Sequence, residues 1–168
     1  MKEEKISSYV KEQITQSLLQ LMENCSFEEI TITDIVKVAA VSRASYYRNF
    51  TSKEDVIKKH LVRLIKEWGT EFENSENPNI VVSLFGHYKK YSELYILLYR
   101  SGLSYLVLDT IKSVCGPQPA QDDLPAYLSA WFAGGLFGWI DEWIKRGMKQ
   151  DPEEMAKLLA EADQHHKS

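Results

Sequence analysis

Apolar residues recur at intervals of three and four along most of the chain, which is the period of an amphipathic α-helix. In the first segment, residues 6–22, the apolar positions are Ile6, Val10, Ile14, Leu18, Leu21 and Met22. Further segments with this period cover residues 55–72, 80–91, 92–100, 103–114 and 126–146, and a last one follows Asp151. The pattern therefore predicts an all-α fold.

Two short helices are predicted by residues that cap helix ends. Thr31 and Asp34 have the spacing of a capping box and predict a helix that begins after Thr31. Ser42 is a suitable cap for a second helix over residues 43–50, so residues 40–42 form the turn between the two. Two short helices joined by such a turn form the helix-turn-helix, whose second helix enters the major groove of DNA. An ordinary helical hairpin has the same spacing.

The charge distribution bears on this choice. Residues 1–72 carry 11 basic and 11 acidic side chains, whereas residues 73–168 carry 9 and 13, so the net charge of −4 comes from the second part. Residues 37–66 carry 8 basic and 2 acidic side chains, which makes the region around the turn locally positive. This patch fits contact with phosphates, although a solvated helix face has a similar composition.

Several classes of protein are disfavoured. No run approaches the roughly 18 apolar residues of a membrane helix, and the polar N-terminus does not resemble a signal peptide, so we expect a cytoplasmic protein without membrane contact. The two cysteines, Cys25 and Cys115, lack metal-ligand spacing and are expected to be reduced and buried. No phosphate-binding loop, nucleophile elbow or metal-binding pair of His or Cys appears, so no enzyme, cofactor or metal is predicted. A helical enzyme would require an unrecognised site.

The run ITITDIVKVAAVSRASYYRNFTSKEDVI, residues 30–57, resembles the N-terminal DNA-binding domain of the TetR/AcrR family of bacterial regulators, and the resemblance covers about residues 6–66. It implies an all-α protein with a helix-turn-helix domain over residues 1–52, a connecting helix over 53–72, and an effector-binding and dimerisation domain over 73–168. The polar break at residues 73–79, which contains Pro78, marks the boundary.

The resemblance also implies which residues contact DNA. The positions that read bases correspond to Arg43, Ala44, Tyr47 and Thr33, and those that contact phosphates correspond to Thr31, Ser45, Tyr47, Asn49 and Lys53. Four departures from the family pattern lie nearby: Ala40 replaces the usual Gly, Tyr46 the usual Leu and Asn49 the usual His, and Thr33 stands where a basic base-reading residue is common. Ala40 implies a turn without positive φ, or a mildly strained one. Tyr46 is expected in the core.

The second half of the chain contains two unusual patterns. Tyrosines at helical spacing, Tyr88, Tyr91, Tyr95 and Tyr99, fit either a core or a ligand pocket. Because the family's pocket lies in this part of the chain, an effector site is expected at Phe85, Tyr88, Tyr95 and Leu106. In the helix over residues 126–146, Ala130, Gly134 and Gly138 are four residues apart, although glycine costs a helix about 1 kcal/mol.

Close approach of another helix would compensate for these glycines. The family's usual arrangement pairs the last two helices of each subunit in a four-helix dimer interface. The implied interface residues are Gly134, Gly138, Phe137, Asp141, Met155, Leu158 and Leu159. The glycines could instead admit a helix of the same chain.

The sequence thus predicts a ligand-responsive repressor that binds a pseudo-palindromic operator in double-stranded DNA as a homodimer. Its effector is an unidentified small molecule or a partner protein. The alternative is a transcriptional coactivator of the same family, since the second half is short and residues 132–148 resemble those of a subgroup that includes coactivators. Such a protein would bind a partner protein through a body without a pocket.

Overall fold

The computed structural model describes residues 2–76 and 79–165, and this part of the chain forms nine helices and no strand. The prediction of an all-α fold is confirmed. The helices are α1 (Lys2–Met22), α2 (Ile32–Val38), α3 (Arg43–Asn49), α4 (Lys53–Glu73), α5 (Ile80–Lys90), α6 (Ser92–Arg100), α7 (Tyr105–Cys115), α8 (Asp123–Lys145) and α9 (Pro152–His165). The chain divides into two compact units, residues up to Val62 and residues from Arg63 onward, so the division falls within α4.

In the N-terminal unit, α1, α2 and α3 pack against one another in every pairing. The side chains between them include Ile14, Leu18, Ile35 and Tyr46, all of which are fully buried. The predicted capping box of α2 is present, because Thr31 Oγ1 accepts from the amide of Asp34 at 3.2 Å and the amide of Thr31 donates to the Asp34 carboxylate at 2.9 Å. These bonds satisfy backbone donors that the first turn of a helix leaves free.

The sequence left open whether the turn after α2 avoids a positive φ or is mildly strained, and the structure has the mildly strained turn. Ala40 has a φ of 51°, in the left-handed region that favours glycine. The amide of Ala40 donates to the carbonyl of Lys37 at 3.3 Å, and the amide of Val41 donates to the carbonyl of Val36 at 3.0 Å. This pair of bonds is the Schellman motif, which requires a left-handed residue after the helix. The backbone therefore holds an alanine where glycine is preferred.

In the C-terminal unit, α5 packs on α9, α7 packs on α8, and α6 contacts both α5 and α8. The largest fully buried side chains of this unit are aromatic: Phe85, Tyr88, Tyr95 and Trp143. Tyr88 and Tyr95 lie with ring centroids 4.5 Å apart, and Phe85 meets Trp143 edge to face at 5.1 Å. Aromatic rings thus form much of the core of this unit.

The structure differs from the expectations in the start of α8 and in the exposure of the two cysteines. Helix α8 begins at Asp123, before the predicted start at residue 126, because Pro125 lies in the first turn, where the absence of an amide hydrogen costs no helical bond. Cys25 is exposed and Cys115 is partly exposed, so the expectation of two buried thiols is wrong. Cys25 follows the end of α1 and lies outside the apolar face that the helix buries. Two residues of the predicted break, 77 and 78, lie outside the described residues.

Candidate nucleic-acid interface

One buried tyrosine determines which face of α3 is exposed. Tyr46 has no exposed surface, and its ring contacts those of Tyr47 and Phe50 at 5.4 and 5.9 Å. Burial raises the pKa of Tyr46 to about 12. Tyr46 is directed inward, whereas Arg43, Ala44 and Tyr47 of the same helix are exposed to solvent. The expectation that Tyr46 belongs to the core is confirmed.

The candidate base-reading side chains of α3 are free to contact a ligand. Among the described residues, Arg43 has no hydrogen-bond or ion-pair partner, and its side chain is exposed. Ala44 is exposed beside it, and Tyr47 lies one turn further along with 53% of its surface accessible. Ser42 holds the start of the helix, because its hydroxyl oxygen accepts from the amide of Ser45 at 3.0 Å. The helix is therefore fixed at its N-terminus, where Arg43 lies.

The predicted contacts at the start of α2 are exposed but partly engaged. The Thr31 hydroxyl donates to the Asp34 carboxylate at 2.6 Å, and these bonds from Thr31 hold the pKa of Asp34 below its usual value. Thr33 is exposed. A phosphate at Thr31 would lie beside the negative charge of Asp34.

Two other predicted phosphate contacts are engaged in bonds within the N-terminal unit. The ammonium group of Lys53 donates to the carbonyls of Phe27 and Ile30, the latter at 2.7 Å, and lies 4.5 Å from the centre of the Phe27 ring. The amide of Asn49 donates to the carbonyl of Ser45 at 2.8 Å. The charge of Lys53 therefore stabilises the loop between α1 and α2. Sequence spacing alone does not show this contact, because the partners lie 23 to 26 residues away.

Positive charge nevertheless surrounds α3. Lys37, Arg48, Lys58 and Lys59 are exposed. Lys59 donates to the carbonyl of Asn49 at 2.9 Å and to the carboxylate of Asp55 at 2.8 Å, so part of its charge is neutralised. Together with Arg43, the exposed side chains of Lys37 and Arg48 give the N-terminal unit a surface suited to phosphates.

The four residues predicted to form the effector site are all buried, and two of them line a cavity. Phe85 and Tyr88 line a cavity of about 320 Å³ in the C-terminal unit, and Tyr95 and Leu106 do not. The Tyr95 hydroxyl lies 3.3 Å from Nε2 of His87, and desolvation lowers the pKa of this buried histidine to about 4. The cavity also reaches residues that the sequence did not single out for it, including Trp68, Phe132 and Trp139. In the sequence, the apolar, aromatic character of these residues was the only sign that they could line a cavity.

The residues predicted at a dimer interface fall into two groups. Gly134 and Gly138 are exposed, Leu158 is 42% exposed, and Phe137 is partly exposed. The others have contacts within the unit: Asp141 accepts from the Tyr99 hydroxyl at 2.8 Å and from Lys145 at 2.6 Å, Met155 is buried, and Leu159 lines the cavity.

Four large apolar residues nearer the start of α8 extend the first group. They are Leu124, Tyr127, Leu128 and Trp131, and each is more than half exposed. Positions 124, 127, 128 and 131 have helical spacing, so they share one side of α8 with Gly134 and Gly138. We call the surface formed by residues 124, 127, 128, 131, 134 and 138 the α8 face.

A sequence profile that describes the C-terminal region of TetR-type transcriptional regulators matches residues 76–162, more than half of the chain. The chain belongs to the TetR family of transcriptional regulators. The match covers the C-terminal part, whereas the motif with Arg43 and Tyr47 lies in the N-terminal part, so the two signals come from different residues.

The fold of this TetR-family regulator is also seen in a solved structure. The crystal structure of Lin0861 from Listeria innocua aligns with a TM-score of 0.74 over 94% of this chain and 91% of that chain, with 20% sequence identity. At this identity the likeness concerns the fold alone. A search of curated proteins finds no significant match.

Two further observations concern the described part of this regulator. No helix there is long and apolar enough to cross a bilayer. No group of three or more His, Cys, Asp or Glu side chains among these residues is arranged to hold a metal ion.

Proposed function

We propose that this TetR-family regulator binds a pseudo-palindromic operator in double-stranded DNA as a homodimer, with α3 of each subunit in the major groove. The observation that supports this proposal is the exposure of Arg43, Ala44 and Tyr47 on a helix oriented by the burial of Tyr46. The guanidinium of Arg43, which has no partner among the described residues, can donate to both acceptors of a guanine edge, which contributes about 1 to 3 kcal/mol of discrimination. The methyl group of Ala44 suits the methyl group of a thymine.

The α8 face supports pairing of two subunits. A Cβ atom added at Gly134 or Gly138 would meet no heavy atom within 4 Å, so packing inside the subunit does not require glycine there. Glycine at both positions leaves a flat strip beside Trp131, which is 77% exposed. A large apolar surface of this kind on a soluble protein marks an interaction site. A second copy of α8 can place side chains on this strip, which explains the glycines.

Dimerisation determines the form of the operator. A two-fold dimer places its two α3 helices against half-sites about 34 to 36 Å apart, or a small multiple of that distance. One short helix contacts only a few base pairs, so useful specificity requires both subunits.

The cavity in the C-terminal unit supports regulation by a small ligand. Helix α4 begins at Lys53, next to the region of α3, and contributes Ile65 and Trp68 to the cavity wall. A ligand that contacts these side chains acts on the same helix that begins in the N-terminal unit. We infer that ligand binding changes the position of α4 and releases DNA, which makes the protein a repressor. The cavity also disfavours the coactivator alternative, which expects a body without a pocket.

Selection of bound oligonucleotides from a random pool tests the DNA proposal. Wild type should enrich a two-fold sequence, and Arg43→Ala should lose the preference at one position of each half-site and bind at least about tenfold more weakly. Arg100→Ala removes an exposed arginine of α6 and should behave like wild type. Equal enrichment by all three proteins would exclude Arg43 as a base reader, and no enrichment by wild type would refute operator binding.

Sedimentation measurements test the dimer. Gly134→Leu adds a side chain to the flat strip and should shift the protein toward monomer at micromolar concentration. Gly69→Leu is the matched control, because Gly69 also lies within a helix and a Cβ there meets nothing within 4 Å. A dimer that Gly134→Leu and Gly69→Leu leave equally stable would remove α8 from the interface.

A further inference from the structure

The cavity of the C-terminal unit has a wall of uniform chemistry. Side chains of α4, α5, α7, α8 and α9 enclose about 320 Å³, at the lower end of the range of roughly 300 to 1,000 Å³ that small-molecule sites occupy. Five of the lining side chains are aromatic: Trp68, Phe85, Tyr88, Phe132 and Trp139. Most of the others are aliphatic.

None of the described side chains that line the cavity is Asp, Glu, Lys, Arg or His. The few polar groups present are neutral or already engaged. Trp68 donates its indole hydrogen to the Ser83 hydroxyl at 2.9 Å, and the Cys115 thiol donates to the carbonyl of Ile111 at 3.2 Å. Burial raises the pKa of Tyr88 and of Cys115, so both remain protonated near neutral pH.

A charged ligand would therefore lose its hydration without gaining a partner. Transfer of an ionised group into an apolar environment without compensation is strongly unfavourable. An aromatic ligand gains favourable contacts on entering the cavity. Contacts between rings at offset or edge-to-face geometry contribute about 0.5 to 1.5 kcal/mol beyond the burial of apolar area. The wall thus selects against charge and for flat apolar groups.

The cavity is also accessible from solvent. Ile80, Val114 and Phe132 line it and are 56%, 49% and 54% exposed, so they border its opening. A ligand can enter at this point without unfolding of the surrounding helices.

We propose that the effector of this regulator is an uncharged aromatic molecule that binds in the cavity between Trp68, Tyr88 and Trp139. The proposal specifies the ligand class of the site on which the proposed ligand response rests. It implies that a compound with an ionised group on its ring system is rejected even when the rings are the same.

A pair of fluorescent probes tests this specificity. N-phenyl-1-naphthylamine is uncharged, and 8-anilinonaphthalene-1-sulfonate has the same rings with a sulfonate attached to the naphthalene. The uncharged probe should bind at least tenfold more tightly than the sulfonate. Excitation of tryptophan should sensitise its emission, because Trp68 and Trp139 line the cavity. Equal or tighter binding of the sulfonate would overturn the proposal.

Two adjacent valines of α5 locate the bound probe. Val81 lines the cavity and Val82 does not, although both are partly buried. Val81→Trp should fill the cavity and weaken binding of the uncharged probe at least tenfold, whereas Val82→Trp should leave binding within about twofold of wild type. Leu136→Trp, which fills the cavity from α8, repeats the test if Val81→Trp does not fold. Binding that survives both filling variants would place the probe elsewhere and refute the site.

The same samples separate this inference from the proposed function. Anisotropy of a labelled operator reports DNA affinity with and without saturating uncharged probe. Binding of the probe in the cavity with no change in DNA affinity would refute the proposed switch and leave the ligand class intact, because a ligand with equal affinity for both states shifts no equilibrium. Loss of DNA affinity caused by the sulfonate and not by the uncharged probe would refute the ligand class and leave the switch intact.

Discussion

The alanine in the turn of the helix-turn-helix gives a prediction that rests on a comparison within the molecule. Three helices end in the same Schellman motif, and the residue after the C-cap is Gly102 behind α6, Gly147 behind α8 and Ala40 behind α2. Their φ angles are 71°, 81° and 51°. All three helix ends require a residue with positive φ, and only Ala40 among these three residues carries a Cβ atom. Ala40→Gly should therefore stabilise the protein.

The expected change in the free energy of unfolding is the difference between two opposing contributions. A left-handed conformation costs a residue with a Cβ atom about 1 to 2 kcal/mol. Glycine removes this cost, but part of the stabilisation, roughly 0.4 to 1 kcal/mol, is lost because glycine makes the unfolded chain more flexible. Ala40 is exposed, so loss of its methyl group removes little buried area. The expected net gain is about 0.5 to 1 kcal/mol, which corresponds to a rise in melting temperature of about 2 to 8 °C if the N-terminal unit unfolds separately.

Urea unfolding followed by circular dichroism measures the effect. Ala39→Gly is the matched control, because the neighbouring residue has a φ of −70° and is buried, so the same substitution should destabilise by roughly 1 kcal/mol. A midpoint that falls for Ala40→Gly as it does for Ala39→Gly would show that the positive φ of Ala40 does not cost stability. The slope of free energy against urea should stay unchanged.

Three further substitutions test other features. Tyr46→Phe should stabilise by roughly 1 kcal/mol in the same urea assay, because the buried hydroxyl finds no hydrogen-bond partner among the described residues; a clear loss of stability would contradict this. Lys53→Gln should destabilise the protein by about 1 to 3 kcal/mol, since the ammonium group donates to carbonyls of the loop between α1 and α2. Lys37→Gln, at an exposed lysine, should change the stability little. Equal stability of the two variants would show that the Lys53 contacts do not stabilise the loop and would favour Lys53 as a phosphate contact. The pKa of His87 is lowered to about 4 in the folded protein, so the unfolded chain binds the proton first as pH falls below about 6.5. Wild type should therefore lose about 2 kcal/mol between pH 7 and 5, and a His87→Gln variant with the same pH dependence would refute this assignment.

Much of the fold could be predicted from the sequence because its signals are local. The period of apolar residues indicated the helices, and Thr31 with Asp34 and Ser42 with Ser45 make bonds across three residues, a distance that spacing alone specifies. The candidate contacts of α3 came from the resemblance to the TetR/AcrR family, whose base-reading positions correspond to Arg43, Ala44 and Tyr47, and all three are exposed in the structure.

The remaining features depend on contacts between residues far apart in the chain. Only the tertiary structure shows that the Lys53 ammonium contacts the loop after α1, that Tyr88 lines the cavity of about 320 Å³ while Tyr95 does not line it, and that the α8 face is exposed in the described part of the chain. The sequence by itself determined where the helices lie and how α2 and α3 are capped, because those signals act within a few residues. The packed arrangement decided which side chains are engaged and which remain available, since that depends on neighbours that spacing along the chain does not identify.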